Sequence, residues 1–257
     1  MISHTEAYLK YKAQSEAILD FAVIVCFAVP ALKANVNVLK KGIITKLPTP
    51  DFFLKDVSTP AKLIERAKPY KSRLAAYLWM SNFSFFEAFI VDAVREMIDF
   101  HGGDVGFLSL AERHDKKFLK SIPPNLHAEK RKLQEYPKKS KLFKYQKYSR
   151  ALDASGYRFP SSLLSSYGVR MLNSKVGSLK AHAIPELLQQ GLHLPIDASQ
   201  VSRFHEIRNM RNKIAHGETV NLTLSRVMRM HEDLHQLAVV VDSHLIEHYF
   251  IIEKYTS

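Results

Sequence analysis

Apolar residues recur at helical spacing along several long stretches of this chain. From Ser3 to about Leu32, Tyr8, Tyr11, Ile18, Phe21, Val25 and Ala28 follow at steps of three, four and seven, which predicts one long helix. Its second half, Phe21 to Leu32, is apolar nearly throughout and interrupted by Pro30. That run is shorter than the roughly 20 apolar residues a bilayer span requires, and it lies too far in for a signal peptide. It reads as a buried core helix.

Asn35 to Pro60 reads as irregular, because prolines at 48, 50 and 60 break any regular element. Ser58-Thr59-Pro60 has the form of an N-cap followed by proline at the first helical position, and a short helix is expected from there to Lys68, where Pro69 interrupts it. Tyr70 to Phe100 is the second long helix, closed by His101-Gly102-Gly103. Ser81, Ser84, Asp92, Arg95, Glu96 and Asp99 form its polar stripe. The opposite face carries Ala76, Met80, Phe83, Val91, Val94 and Ile98, with Glu87 at its centre. A carboxylate at the centre of an apolar face is costly unless it is paired.

Asp104 to Asp197 shows no firm period, although Pro160 and Pro185 mark starts of short helices. Asp197-Ala198-Ser199 can cap a helix that runs to His216 and closes on Gly217. Phe204, Ile207, Met210, Ile214 and Ala215 give that helix an apolar face. At about 100° per residue, Arg211 falls between Phe204 and Ile207, with Arg208 on the flank. After a turn at Glu218 to Asn221, Leu224 to about Ile252 is the last long helix, with Val227, His231, Leu234, Ala238, Val241, Leu245 and Tyr249 along one face. The pattern predicts an all-α fold: an up-and-down helical bundle forming a single domain over residues 1–257, with a basic, mostly helical insertion at about 104–197.

Composition agrees with helices and adds a partner class. Only 9 glycines in 257 residues argue against a sheet-and-turn protein. The net charge of +12 favours a polyanionic partner through long-range attraction. The single cysteine, Cys26, excludes an internal disulfide framework and a cysteine zinc site, and points to a reducing cytoplasm. Between Arg113 and Arg150, basic residues far outnumber the acids Asp115, Glu129 and Glu135. Lys130, Arg131, Lys132, Lys138, Lys139, Lys141, Lys144 and Lys147 are interleaved there with Tyr136, Phe143 and Tyr145. Rings that stack on unpaired bases, beside ammonium groups that hold phosphates, suit RNA. A solvated helix–loop segment anchored by a few aromatics explains the same stretch, and docking of this patch on an anionic membrane is a third reading.

No HExxH, CxxC, Walker or Rossmann glycine motif occurs, so no metal or cofactor is expected. His231 and His235 stand i,i+4 without a third ligand in reach, and read as surface or interface histidines. Arg211 and His216 remain. On an unbroken helix, five residues separate side chains by about 140°. They converge only if the helix ends at Ala215 or His216, or if two copies meet across a dimer axis. The alternative is an Arg211–Glu87 ion pair with His216 as a simple C-cap.

Arg211-Asn212-Lys213-Ile214-Ala215-His216 resembles the Arg-(four to six residues)-His motif of the HEPN superfamily, in its Arg-Asn-x-x-x-His form. Met210 before it, Gly217 after it, the long final helix and the upstream Trp79-Met80-Ser81-Asn82-Phe83-Ser84-Phe85-Phe86-Glu87-Ala88-Phe89 stretch are similar to the RiboL-PSP-type members. The resemblance covers about half the chain, the helix at 70–100 and the part after Ser199. It implies a metal-independent endoribonuclease without cofactor, a cytoplasmic homodimer whose two motifs line one composite cleft, and a role as a toxin or phage-defence effector with an antitoxin or defence-system partner protein.

The residues are chemically suited to that activity. Attack by a neighbouring 2′-hydroxyl requires proton transfer, which His216 can perform near neutral pH. It also requires a fixed cation on the phosphate, where Arg211 offers planar donors. The products would be a 2′,3′-cyclic phosphate and a 5′-hydroxyl. Asn212 would position the phosphate or orient His216, with Asn82 a further candidate for the same pocket. Glu87 would hold one arginine, leaving Arg208 or Arg211 for the phosphate. In the toxins of this superfamily that pair with nucleotidyltransferases, a tyrosine stands two residues after the histidine. Glu218 stands there in this chain, which puts that mode of control in doubt. A non-catalytic HEPN module that binds RNA or a partner protein is the competing reading.

Overall fold

The computed structural model describes residues 3–50, 52, 59–103, 105–106, 124, 179–192 and 194–250. Among these the fold is all-α, with no strand. The helices are α1 (Glu6–Lys40), α2 (Pro60–Ala67), α3 (Tyr70–Phe100), a run of short helical turns over 181–191, α4 (Ala198–Ala215) and α5 (Leu224–His248). They form two compact units. The first comprises Met1–Lys12, Phe86–Asn209 and Leu234–Ser257, and the second Ala13–Phe85 and Met210–Asp233.

Most helix ends are set by local chemistry legible in the chain. Asp197 Oδ1 accepts from the Gln200 amide at 2.8 Å while Gln200 Oε1 accepts from the Asp197 amide at 2.9 Å, a reciprocal capping box at the start of α4. Thr223 Oγ1 accepts from the Arg226 amide at 3.2 Å and caps α5. Pro60 occupies the first turn of α2, as expected.

Two expectations about α1 need correction. Helix continues to Lys40, through the stretch read as irregular. Val36 is fully buried and the Lys33 ammonium lies 5.2 Å from the Tyr70 ring centre, so packing overrides the weak helix propensity of Asn35 and Asn37. The helix closes in a Schellman motif: Gly42, at φ 72°, donates to Leu39 O, and Ile43 donates to Val38 O. Nor is the apolar run a buried core helix. Phe21, Val23, Ile24 and Phe27 are 53–76% exposed. An 18-residue window of α1 has a mean hydropathy of 2.1 with 6% of it buried, so length alone no longer excludes a bilayer span. The physical reason is that residues 21–32 of α1 are apolar on nearly every side, and their neighbours cover only part of them.

In the first unit, α3 supplies Phe86, Phe89, Ile90, Ala93, Val94 and Met97, α5 supplies Leu234, Ala238, Val241 and Leu245, and Tyr249 follows directly after it, all 2% exposed or less. Tyr11 and Phe204 join this aromatic layer, at 5.4 Å from Phe89 and 6.1 Å from Phe86 respectively. The N-terminal end of α1 is tied down by two carboxylates. Glu96 accepts from the amides of Glu6 and Ala7, both at 2.9 Å, and satisfies helix-start donors that would otherwise lack partners. Asp242, 1% exposed, accepts from the Thr5 amide at 2.9 Å, the Thr5 hydroxyl at 2.6 Å and His4 Nδ1 at 2.7 Å. At the other end of α5, Tyr249 Oη and His244 Nε2 both donate to Leu192 O, at 3.0 and 2.7 Å.

The core face of α3 is rotated by about one residue from the predicted one. Its centre runs through Ala75, Trp79, Asn82, Phe86, Ile90, Ala93 and Met97, whereas Ala76, Met80 and Val91 are only half-buried. Glu87 therefore sits at the edge of that face, half-buried beside exposed Ala88, not at its centre. The polar residue at the centre is Asn82.

Candidate active site

The Arg211–His216 motif lies wholly in the second unit, on the last turns of α4. Helix ends at Ala215, as one of the two routes to convergence requires. Gly217 takes φ 76° and donates to Ile214 O, while Glu218 donates to Lys213 O, so Gly217 is the left-handed residue of a second Schellman motif. His216 is thus the C-cap, and it is exposed to solvent. Arg211 is half-buried, its guanidinium 5.9 Å from the Phe83 ring centre, and its Nη1 donates to Asn212 Oδ1 at 3.3 Å. Asn212 is therefore placed on the arginine.

One turn of α3 gathers further polar groups of this unit. Asn82 is fully buried, its Nδ2 donating to Leu78 O at 2.9 Å and its Oδ1 facing His231 Nδ1 of α5 at 3.0 Å. The Arg226 guanidinium lies 5.9 Å from the centre of the Trp79 ring. Trp79 and Phe83 are i,i+4 neighbours, so Arg211 and Arg226 meet the same side of α3 one turn apart, with Asn82 between them in sequence. Four residues of helix span about 6 Å along its axis. Two guanidinium groups and an imidazole thus meet α3 within one turn.

His231 and Arg226 did not stand out as site residues in the sequence. The signal available was the pairing of two polar residues, Asn82 and His231, each placed among core-facing positions of its own helix. His231 and His235 are half-buried and hydrogen-bonded rather than simple surface histidines, His235 Nε2 lying 3.4 Å from Tyr8 Oη in the first unit. Among the described residues no group of three or more His, Cys, Asp or Glu is arranged to hold a metal ion.

The remaining candidates lie elsewhere. Arg208 belongs to the first unit, half-buried, with Nε and Nη2 donating to Asn209 Oδ1 at 3.3 and 2.8 Å. Glu87 also belongs to the first unit. In the same unit, burial and the nearby charges of Arg208 and His182 hold His205 below the ordinary imidazole range. A pocket there, lined by Glu6, Lys10, Asp92, Glu96 and Asp99 among others, contains none of the motif residues. Lys130, Arg131, Lys132, Lys138, Lys139, Lys141, Lys144 and Lys147 lie outside the described residues.

The family model RiboL-PSP-HEPN matches residues 51–247, most of the chain. The chain belongs to the RiboL-PSP-HEPN family. The match spans the stretch at 104–197 that reads as an insertion, so the likeness extends well beyond the two segments that carry it to the eye. All of α1 falls before it. Membership points to RNA-related function, ribonuclease activity being common among HEPN domains. No curated protein and no solved structure matches the chain.

Proposed function

We propose that this HEPN protein is a metal-independent endoribonuclease in which the 2′-hydroxyl of RNA attacks the adjacent phosphate. The observation that carries the reading is the motif's local geometry: α4 stops at Ala215, which leaves His216 solvent-exposed at the helix end, while Arg211 is fixed against the ring of Phe83. An exposed imidazole exchanges protons with substrate near neutral pH, and a guanidinium held on an aromatic face loses little entropy when it binds a phosphate. Asn212 Oδ1 accepts from one edge of that guanidinium. The net charge of +12 draws RNA to the surface.

In this reading the active form is a homodimer whose two motifs share one cleft. The cell uses it as a toxin or defence effector restrained by a partner protein, in the cytoplasm. Incubation of purified protein with RNA in EDTA tests the activity. Wild type should cut and His216→Ala should lose roughly 10²- to 10⁴-fold in rate, the usual worth of a proton-transfer group. RNA bound but left intact by wild type would favour a non-catalytic binding module instead.

A further inference from the structure

In the part of α1 that belongs to the second unit, the side turned to solvent is apolar. Phe21, Val23, Ile24 and Phe27 are each more than half exposed, and every other exposed position from 21 to 34 is alanine or proline. At about 100° per residue these positions fill close to one half of the helix circumference. Val25, Val29, Leu32 and Val36 fall on the opposite half, and they are half-buried or buried. A surface helix normally turns polar residues outwards, so an outward half without one marks a contact surface.

We propose that this face docks on an anionic phospholipid bilayer, with α1 lying in the headgroup layer and Phe21, Val23, Ile24 and Phe27 reaching the upper acyl chains. Charge decides the partner. No acid stands between Asp20 and Asp51, whereas Lys33, Lys40, Lys41 and Lys46 all stand there. Lys40, Lys41 and Lys46 are exposed, and Ile43, 71% exposed, lies among them. An apolar surface and an adjoining basic cluster are the two signals that together attach a protein to acidic headgroups. A second copy of the chain fits this face less well, because a helix seam needs a narrow stripe rather than half a circumference. RNA would engage the lysines, but Val23 and Ile24 have no ring on which a base can stack.

The inner half of the helix decides that it lies on the bilayer and does not cross it. The run 21–32, which carries no charge, is about 18 Å long, against about 30 Å of hydrocarbon. The Lys33 ammonium lies 5.2 Å from the Tyr70 ring centre and Val36 is fully buried, so α1 keeps one side on protein while the other meets lipid. None of this depends on the ribonuclease reading.

Sedimentation of the full chain with vesicles tests the proposal. Phosphatidylcholine vesicles containing phosphatidylglycerol should bind the protein at low salt, and vesicles of phosphatidylcholine alone should bind it far more weakly. Ile24→Ser/Phe27→Ser should weaken binding at least about tenfold, because both side chains lose their transfer into an apolar phase. Lys40→Gln/Lys41→Gln should weaken it by about fivefold per lysine, the usual worth of a cation beside an anionic surface. All four side chains are exposed, so melting temperatures should stay within about 3 °C of wild type. In Phe27→Trp the new indole should shift its emission to the blue when anionic vesicles are added, against a constant background from fully buried Trp79. Wild type that binds no anionic vesicles, or Ile24→Ser/Phe27→Ser that binds them undiminished, would overturn the proposal. A wild-type dimer that binds no vesicles and that this variant converts to a monomer would overturn it in favour of a second copy. RNA cleavage in solution should be the same for wild type and this variant, so the membrane proposal and the ribonuclease reading fail separately.

Discussion

Replacing Asp242 by alanine removes the carboxylate that ties residues 4 and 5 to α5. Asp242 is 1% exposed and Thr5 fully buried, so the Thr5 amide and hydroxyl, at 2.9 and 2.6 Å, have no ready access to water once the acceptor is gone. Hydrogen bonds to a charged acceptor contribute about 1.5–3 kcal/mol each, and two such bonds set the scale. The bond from His4 adds little, because the His4 side chain is 44% exposed and water replaces its partner. The expected loss is about 3–5 kcal/mol, the range found when one member of a buried charged network is deleted. For a chain of this length each kcal/mol moves the midpoint by about 2–4 °C, so thermal unfolding followed by circular dichroism should show a fall of roughly 10 °C. Asp242→Asn, which keeps one acceptor oxygen, should lose less than half of that. In the double variant Thr5→Val/Asp242→Ala the two losses should overlap rather than add, because both delete the same bonds. An Asp242→Ala midpoint within about 2 °C of wild type would refute the reasoning.

Two further outcomes follow from the site and its surroundings. Gly217→Ala should cost about 1 kcal/mol in a urea titration, because φ is 76° while nothing lies within 4 Å of the added methyl, so the loss is purely conformational. His205 is held below its ordinary value of 6.5, so the folded state resists its protonation. Its contribution is therefore complete above about pH 6.5 and is lost as pH falls from there through the lower, folded-state value. His205→Gln should flatten that acidic decline in melting temperature, and an unchanged slope would contradict the assignment.

What could be read from the chain depended on how far each feature is local. The end of α4 was legible because Gly217 and the residues before it settle it among themselves, and the capping residue Asp197 behaves in the same way. The face of α5 was nearly right. Val227, Leu234, Ala238, Val241, Leu245 and Tyr249 are buried as expected, and only His231 gives way to its neighbour Met230 as the fully buried member. The face of α3 was misplaced because Phe83, Phe85, Phe86 and Phe89 make two stripes about 100° apart equally apolar, and the helices packed against it choose between them. That choice moves Glu87 to an edge and Asn82 to the centre. In the 21–32 run of α1 no periodicity could show which side stays exposed, since apolar residues surround it. The Asn82–His231 bond joins residues 149 apart, a distance across which helix periodicity carries no information.

The most direct test of the proposed chemistry uses an RNA that the protein cuts at one known position, with the 2′-hydroxyl of that nucleotide alone replaced by hydrogen. Attack by the neighbouring hydroxyl predicts that the all-RNA strand yields a 2′,3′-cyclic phosphate and a 5′-hydroxyl in the presence of EDTA, and that the deoxy-substituted strand stays intact at that position. Cleavage of the substituted strand at the same site, leaving a 5′-phosphate, would mean that water is the nucleophile and would contradict the roles given to Arg211 and His216.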